Sequence, residues 1–177
     1  MTELFRGATG PLHAAGWTFE QPLLADDELP VPLRTAPETV IRWVSSFSHL
    51  SNPNDTVWFL SRDDYSGRTN SAFAWNEFEQ LSAQAATTDA EAAAISRFWK
   101  HHLPILLSVR DGYEYLAVRD DGAVVHGTEP EFEEAGVVCS QFEDLLRYIV
   151  TRPAARNDLV ERLLFDATGA PDTTLRG

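Results

Sequence analysis

The chain has 177 residues, of which 44% are hydrophobic and 11% aromatic, so a disordered chain is excluded and the length suits one domain spanning residues 1–177. Fourteen basic residues against 27 acidic ones give a net charge of −13. This charge repels phosphate backbones and anionic lipid, which argues against nucleic acid and membrane surfaces as partners, whereas it attracts a basic protein.

The first 75 residues predict few regular elements. Residues 1–36 are rich in glycine and proline and are expected to be mostly irregular, with one short strand. Pro37 suits the first turn of a helix that is predicted to run to about Leu50. Its inward face is expected to consist of Val40, Ile41, Val44 and Phe47, with Trp43 beside them. Residues 56–60 predict a strand, residues 61–70 a polar loop, and residues 73–75 a second short strand.

The middle of the chain predicts a helix followed by an antiparallel meander. Thr88 and Glu91 have the spacing of a capping box, which begins a helix. Its apolar positions are Ile95, Phe98, Trp99 and His102, and Leu103-Pro104 is expected to end it. Three β-type runs follow at residues 105–109, 113–118 and 123–126. Asp-Gly pairs separate these runs, and this dipeptide strongly indicates hairpin turns.

The last third predicts one more strand and two helices. Gly136–Cys139 is expected to be a short strand. Ser140 and Glu143 have the spacing of a second capping box, and the helix after them would bury Phe142, Leu145, Leu146 and Ile149. Residues 157–165 predict a final helix, and residues 168–177 are expected to form a frayed tail. The predicted fold class is therefore α+β, with a mixed, largely antiparallel sheet and flanking helices.

The order of these motifs resembles the SUKH superfamily, which includes cell-wall assembly regulators and bacterial toxin-immunity proteins. The resemblance is best over residues 103–150, where Leu103-Pro104, two glycine turns, an aromatic strand and a Ser-x-Phe-Glu-x-Leu helix follow one another. A weaker similarity extends back to residue 37, although Asn52-Pro53-Asn54 stands where the family has Asn-Gly. The resemblance implies a surface that holds a protein partner, and it brings no catalytic residues.

The sequence contains few candidate catalytic or metal-binding motifs, so we predict no enzyme activity, no cofactor and no metal. Cys139 precedes a helix start, where a thiol can be activated, but a free cysteine is more often a small core residue. His101 and His102 are adjacent and do not share a helix face as a zinc pair would. Lys100 is the one lysine of the chain, and no glycine-rich phosphate loop surrounds it. The lone cysteine and the absence of a signal-peptide pattern predict a cytoplasmic protein.

Two acidic segments that each contain an aromatic residue are the candidate binding residues. Between Asp111 and Asp144 ten carboxylates face a single base, Arg119, so this stretch holds −9 of the net charge of −13. The aromatic residue of such a loop either fills the core or anchors a partner, and both alternatives are open. The candidate partner-binding residues are Asp63, Asp64, Tyr65, Glu129, Glu131, Phe132, Glu133 and Glu134.

The function that fits these features best is an immunity protein that neutralises a toxin, such as a basic nuclease, by direct binding. Acidic side chains would pair with the arginines and lysines of the toxin and accelerate encounter. One alternative is a scaffold or regulatory module without a toxin partner. Another is a small enzyme that uses its abundant carboxylates, of which divalent-metal binding would be the sign.

Overall fold

The computed structural model describes residues 3–22, 28–69 and 71–166. A single sheet runs through this part of the chain, and helices pack on both of its faces. The strands are β1 (Thr18–Glu20), β2 (His49–Ser51), β3 (Val57–Phe59), β4 (His102–Ser108), β5 (Glu114–Arg119), β6 (Val124–Thr128) and β7 (Gly136–Cys139). The helices are α1 (Glu3–Ala14), α2 (Glu38–Val44), α3 (Arg62–Tyr65), α4 (Glu77–Ala85), α5 (Asp89–Lys100), α6 (Phe142–Thr151) and α7 (Asp158–Leu164), with a 3₁₀ turn at Val31–Leu33.

The sheet is a continuous meander in which each strand pairs with the next one along the chain. The order is β1 to β7, and all six pairings among the described strands are antiparallel. The predicted α+β class and the predicted meander of β4, β5 and β6 are confirmed. Gly112 and Gly122 have φ values of 138° and 89° in the two predicted turns, which is the left-handed region that the Asp-Gly pairs supply.

One face of the sheet is covered by α1, α2, α6 and α7. Trp43 of α2 is completely buried at the centre of this layer and contacts four phenylalanine rings edge-on, with centroid distances of 5.3–6.3 Å. These four rings are Phe5, Phe47, Phe59 and Phe142. The expected inward positions of α6 are all buried, so the predicted phase of this helix is confirmed.

The other face is covered by α4, α5 and the loop of residues 129–135. Tyr115 of β5 lies at the centre of this layer, and its hydroxyl donates a hydrogen bond of 2.6 Å to the carbonyl of Phe132. Gly127 makes this packing possible, because a Cβ atom on it would lie 2.5 Å from the Tyr115 ring. Trp99 of α5 packs 4.9 Å from Tyr115 and is buried, as predicted.

Several predicted elements of the first half are wrong. Residues 3–14 form α1 instead of irregular chain, because Phe5, Ala8 and Leu12 bury one helical face despite Pro11 inside the helix. The helix after Pro37 ends at Val44, and Leu50 belongs to β2. Residues 61–70 contain α3, residues 73–75 are not a strand, and α4 was not expected.

The two predicted capping boxes differ in outcome. The Thr88 side chain accepts a hydrogen bond from the Glu91 backbone and Glu91 bonds back, so this box is confirmed. The helix α6 instead begins after Gln141 and has no side-chain cap, so the box predicted at Ser140 is wrong. Leu103-Pro104 lies inside β4 and does not end α5, which stops at Lys100. The predicted tail of residues 168–177 lies outside the described residues.

Candidate functional site

The first predicted binding segment forms the single turn of α3. Asp64 caps this turn, because its Oδ2 atom accepts hydrogen bonds from the backbone and hydroxyl of Ser61 at 2.7 and 2.8 Å. Tyr65 points inward, is 4% exposed, and donates a hydrogen bond to the carbonyl of Pro104. Burial, followed by the charge of Asp64, raises the pKa of Tyr65 well above its usual value. Asp63 remains half-buried at the surface.

The second predicted segment, residues 129–134, is tied down by its own side chains. Phe132 is 4% exposed and stacks on Phe78 with ring centroids 4.8 Å apart. Glu133 accepts a hydrogen bond of 2.7 Å from Trp99 Nε1, and Glu129 accepts one of 3.0 Å from the Tyr113 backbone. Three of the four carboxylates of this loop are exposed at the surface, and they belong to Glu129, Glu131 and Glu134.

The predicted role of the two aromatic residues as binding anchors has to be corrected. Both Phe132 and Tyr65 fill the core, so the interpretation of these rings as exposed contacts for a partner is wrong, and the first of the two alternatives holds. The carboxylates stay candidates. The structure does not bring the two segments into one cavity, because Asp63 and Asp64 line one cleft whereas Glu134 lines another groove.

The cleft at Asp63 has a volume of about 790 Å³. We call it the acidic cleft. Directly paired residues of an antiparallel sheet point to the same face, and the pairs Glu20–His49 and Ser51–Trp58 place these side chains on the face that carries Tyr115. The lining that defines the acidic cleft comprises Glu20, His49, Asp55, Trp58, Asp63, Asp64, Arg68 and Phe73.

The floor of the acidic cleft is aromatic. Trp58 is half-buried on β3, and its ring lies 5.9 Å from that of Phe73. Four carboxylates and one guanidinium surround these rings. An aromatic face next to carboxylates is the environment that attracts a guanidinium or ammonium group, since the ring quadrupole and the negative charges act together.

A turn between β2 and β3 positions one wall of the acidic cleft. The Asn52 side-chain oxygen accepts hydrogen bonds from the backbones of Thr56 and Val57 at 2.8 and 3.1 Å. This turn places Asp55 at a φ of 55°, a conformation that aspartate tolerates. Its carboxylate lies 3.5 Å from His49 Nε2 and is 70% exposed, so it keeps the capacity to accept further hydrogen bonds.

The sequence contained one signal for the aromatic floor that our predictions did not use. Val57 and Phe59 are buried on the opposite face, and strand alternation puts the residue between them on the face of the acidic cleft. A tryptophan at that position is a candidate contact residue. No sequence pattern indicates that Glu20 and Asp55 line the same cleft, because the pairing of β1 with β2 brings them together.

A buried carboxylate with two basic partners lies on the other face of the sheet, and no sequence pattern indicates it. Glu114 of β5 is 5% exposed and receives two hydrogen bonds from Arg162 of α7, at 2.7 and 2.6 Å, and one of 2.9 Å from His126. Burial opposes its ionisation, but the hydrogen bonds from Arg162 and His126 outweigh burial and lower the pKa of Glu114 to about 2. Glu114 is therefore an internal anion whose charge is already compensated.

The other residues considered for chemistry have structural contacts. Burial, followed by the charge of Asp144, raises the pKa of the Cys139 thiol to about 11, which is the opposite of what activates a nucleophile. His101 Nδ1 lies 2.5 Å from Asp120, and His102 stacks on Phe98. Among the described residues, no three or more histidine, cysteine and acidic side chains are placed to hold a metal ion.

Within residues 3–22, 28–69 and 71–166, no helix is long and apolar enough to span a membrane. No family model, no curated protein and no solved structure matches the chain significantly. The similarity to the SUKH superfamily therefore stays a prediction that rests on the motifs of residues 103–150.

Proposed function

We propose that the chain is a non-catalytic cytoplasmic module that binds a basic protein through the acidic cleft. The observation that carries this proposal is the cleft itself, in which four carboxylates surround the rings of Trp58 and Phe73. With the similarity to the SUKH superfamily, the best-fitting role is that of an immunity protein that neutralises a toxin. A basic nuclease is the partner class that this charge suits best.

The mechanism is occlusion. The net charge of −13 attracts a positively charged surface over a distance set by the ionic strength, which accelerates encounter. Arginine or lysine side chains of the partner then enter the acidic cleft and contact Trp58 on one side and Asp55 or Asp63 on the other. A nuclease whose phosphate-binding residues are engaged in this way cannot hold nucleic acid.

Pull-down from the source cell with charge variants tests this proposal. The variant Glu20→Lys/Asp63→Lys reverses two charges in the acidic cleft and spares Asp64, which caps α3. Its matched control is Glu3→Lys/Asp89→Lys, which changes the net charge equally at two exposed helix positions. We expect mass spectrometry to find a basic protein that the wild type and the control retain and the cleft variant loses.

Binding kinetics with that protein complete the test. The cleft variant should associate about tenfold more slowly at low salt, because reversed charges act mainly on encounter. The difference should shrink near ~0.5 M salt, where the Debye length is a few ångströms. Equal association rates for the cleft variant and the control would show that only the total charge matters and would overturn the acidic cleft as the binding site.

A further inference from the structure

The edge of the sheet at β7 has free backbone hydrogen-bonding capacity. Gly136–Cys139 pairs with β6 on one side. In the parts of the chain that the structure describes, no strand pairs with its other side, and these four residues make no backbone hydrogen bond outside the β6 pairing. A strand has outward N–H and C=O groups at every second residue, so this edge offers a ladder for one more strand.

The residues of this edge carry neither a charge nor a proline that would block strand addition. The sequence of β7 is Gly-Val-Val-Cys, and Val137 at its centre is 60% exposed. The opposite edge, β1, is only three residues long and carries Glu20. A short edge strand with a charge resists pairing, whereas an exposed valine favours it.

A groove lies next to the same edge. It has a volume of about 280 Å³, with Val138 and Leu159 among its apolar lining residues and Glu134 among its charged ones. Successive side chains of an added strand point to opposite faces. Every second side chain would therefore lie in this groove, and the others would lie beside Val137.

We infer that the β7 edge binds an extended, basic segment of a protein partner as an eighth strand. Backbone pairing supplies the general affinity, and alternate side chains supply the selectivity. The sign of the charge follows from the loop before β7, where Glu131 and Glu134 are exposed. A second copy of this chain is a poorer occupant, because it brings the same carboxylates and a net charge of −13 to the contact.

This inference rests on the proposed function only for the charge of the partner, because the acidic cleft is built on β1, β2 and β3 and the groove on β6 and β7. The two surfaces can be tested apart. Loss of partner binding in Glu20→Lys/Asp63→Lys without any strand addition at β7 would leave the proposed function intact and overturn the inference. Strand addition at β7, together with normal partner binding by the cleft variant, would support the inference and overturn the proposed role of the acidic cleft.

The direct test is hydrogen exchange on the full chain with a short capped peptide of alternating valine and lysine. We expect the peptide to slow the exchange of amides within residues 136–139. The same peptide with N-methyl groups on alternate residues should give no protection, because it cannot form the backbone ladder. A peptide with glutamate in place of lysine should bind about tenfold more weakly, because it faces Glu131 and Glu134.

Variants at two exposed valines provide the matched control. Val137→Lys should weaken the valine–lysine peptide about tenfold through a lost apolar contact and a like-charge pair. Val137→Thr should keep its binding, since threonine also suits a strand. Val31→Lys changes a valine that is 69% exposed elsewhere and should have no effect.

Three further outcomes would overturn the inference. Equal binding of the N-methylated peptide would exclude strand addition. Dimerisation of the chain that Val137→Lys abolishes would identify a second copy as the occupant. Tighter peptide binding by a chain that ends at Asp166 would identify residues 167–177 as a competing occupant of the edge.

Discussion

The carboxylates of the acidic cleft and the carboxylate of Glu114 lie on opposite faces of the same sheet and have different contacts. Glu114 is 5% exposed, and Arg162 and His126 satisfy its oxygens. Asp55 in the acidic cleft has a side chain that is 70% exposed and one distant neighbour, His49 at 3.5 Å. The contacts around a carboxylate, and not its residue type, therefore decide whether it stabilises the fold or remains available to a partner.

The physical reason is the cost of desolvation. A buried carboxylate loses its hydration, so folding must supply its hydrogen bonds, and those bonds leave no capacity for a ligand. An exposed carboxylate keeps its hydration until a partner arrives and contributes little to the free energy of unfolding. Variants in each region should therefore separate into those that change stability and those that change binding.

Phe132→Ala should have the largest effect on stability, and it tests whether the loop of residues 129–134 stabilises the fold or binds a partner. Removing a buried ring that stacks on Phe78 should lower the free energy of unfolding by about 3–5 kcal/mol. Chemical denaturation measures this loss, and Glu131→Ala at the exposed neighbour is the control. Unchanged stability together with faster dissociation from the partner would return Phe132 to the role of a binding anchor.

Glu114→Gln should have the second largest effect. The variant keeps the shape of the side chain but leaves Arg162 without its anion, which should cost about 2–3 kcal/mol of unfolding free energy. Denaturation at neutral pH measures the loss. Partner binding by the folded variant should stay at the wild-type level, because Glu114 lies on the face opposite the acidic cleft; weaker binding would contradict the separation of the two regions.

The pH dependence of the free energy of unfolding tests the contribution of the Glu114 carboxylate. The pKa of Glu114 is about 2 in the folded chain and lies near the ordinary glutamate value when the chain is unfolded. A lowered pKa adds stability that is fully present above the ordinary value and is lost as the pH falls toward 2. The difference in stability between the wild type and Glu114→Gln should therefore be constant above about pH 5 and shrink below about pH 4. A difference that does not change with pH would mean that Glu114 contributes by packing alone.

The second half of the fold could be predicted because its signals are local. The Asp-Gly turns define the hairpins of β4, β5 and β6, and the helical spacing of Phe142, Leu145 and Ile149 defines the buried face of α6. In the first half, Pro11 lowers the helix propensity of α1, and its packing against α6 and against Trp43 of α2 compensates. Phe5, Ala8 and Leu12 have helical spacing, but Pro11 inside the segment argues locally against a helix.

The candidate site was predictable only in part for the same reason. Asp63 and Asp64 stand out as neighbouring acids in a polar segment, and both line the acidic cleft. The cleft itself forms because β1 pairs with β2 across 28 residues of intervening chain, and no pattern in the sequence indicates that register. Tyr65 and Phe132 were misplaced because a large ring in a loop has two physically reasonable positions, and composition does not choose between them.

The charge reversal Glu131→Lys/Glu134→Lys should have the smallest effect on stability, and it distinguishes the acidic loop before β7 from the acidic cleft. Both side chains are exposed, so the free energy of unfolding should change by less than about 0.5 kcal/mol. If the β7 edge holds a basic strand, these variants should weaken the valine–lysine peptide, and the effect should vanish at high salt. The cleft variant Glu20→Lys/Asp63→Lys is the control for net charge, since it changes the total equally and should leave the peptide bound. Equal weakening by both variants would mean that the peptide responds to the overall field of the protein, in which case neither acidic surface would select its partner by position.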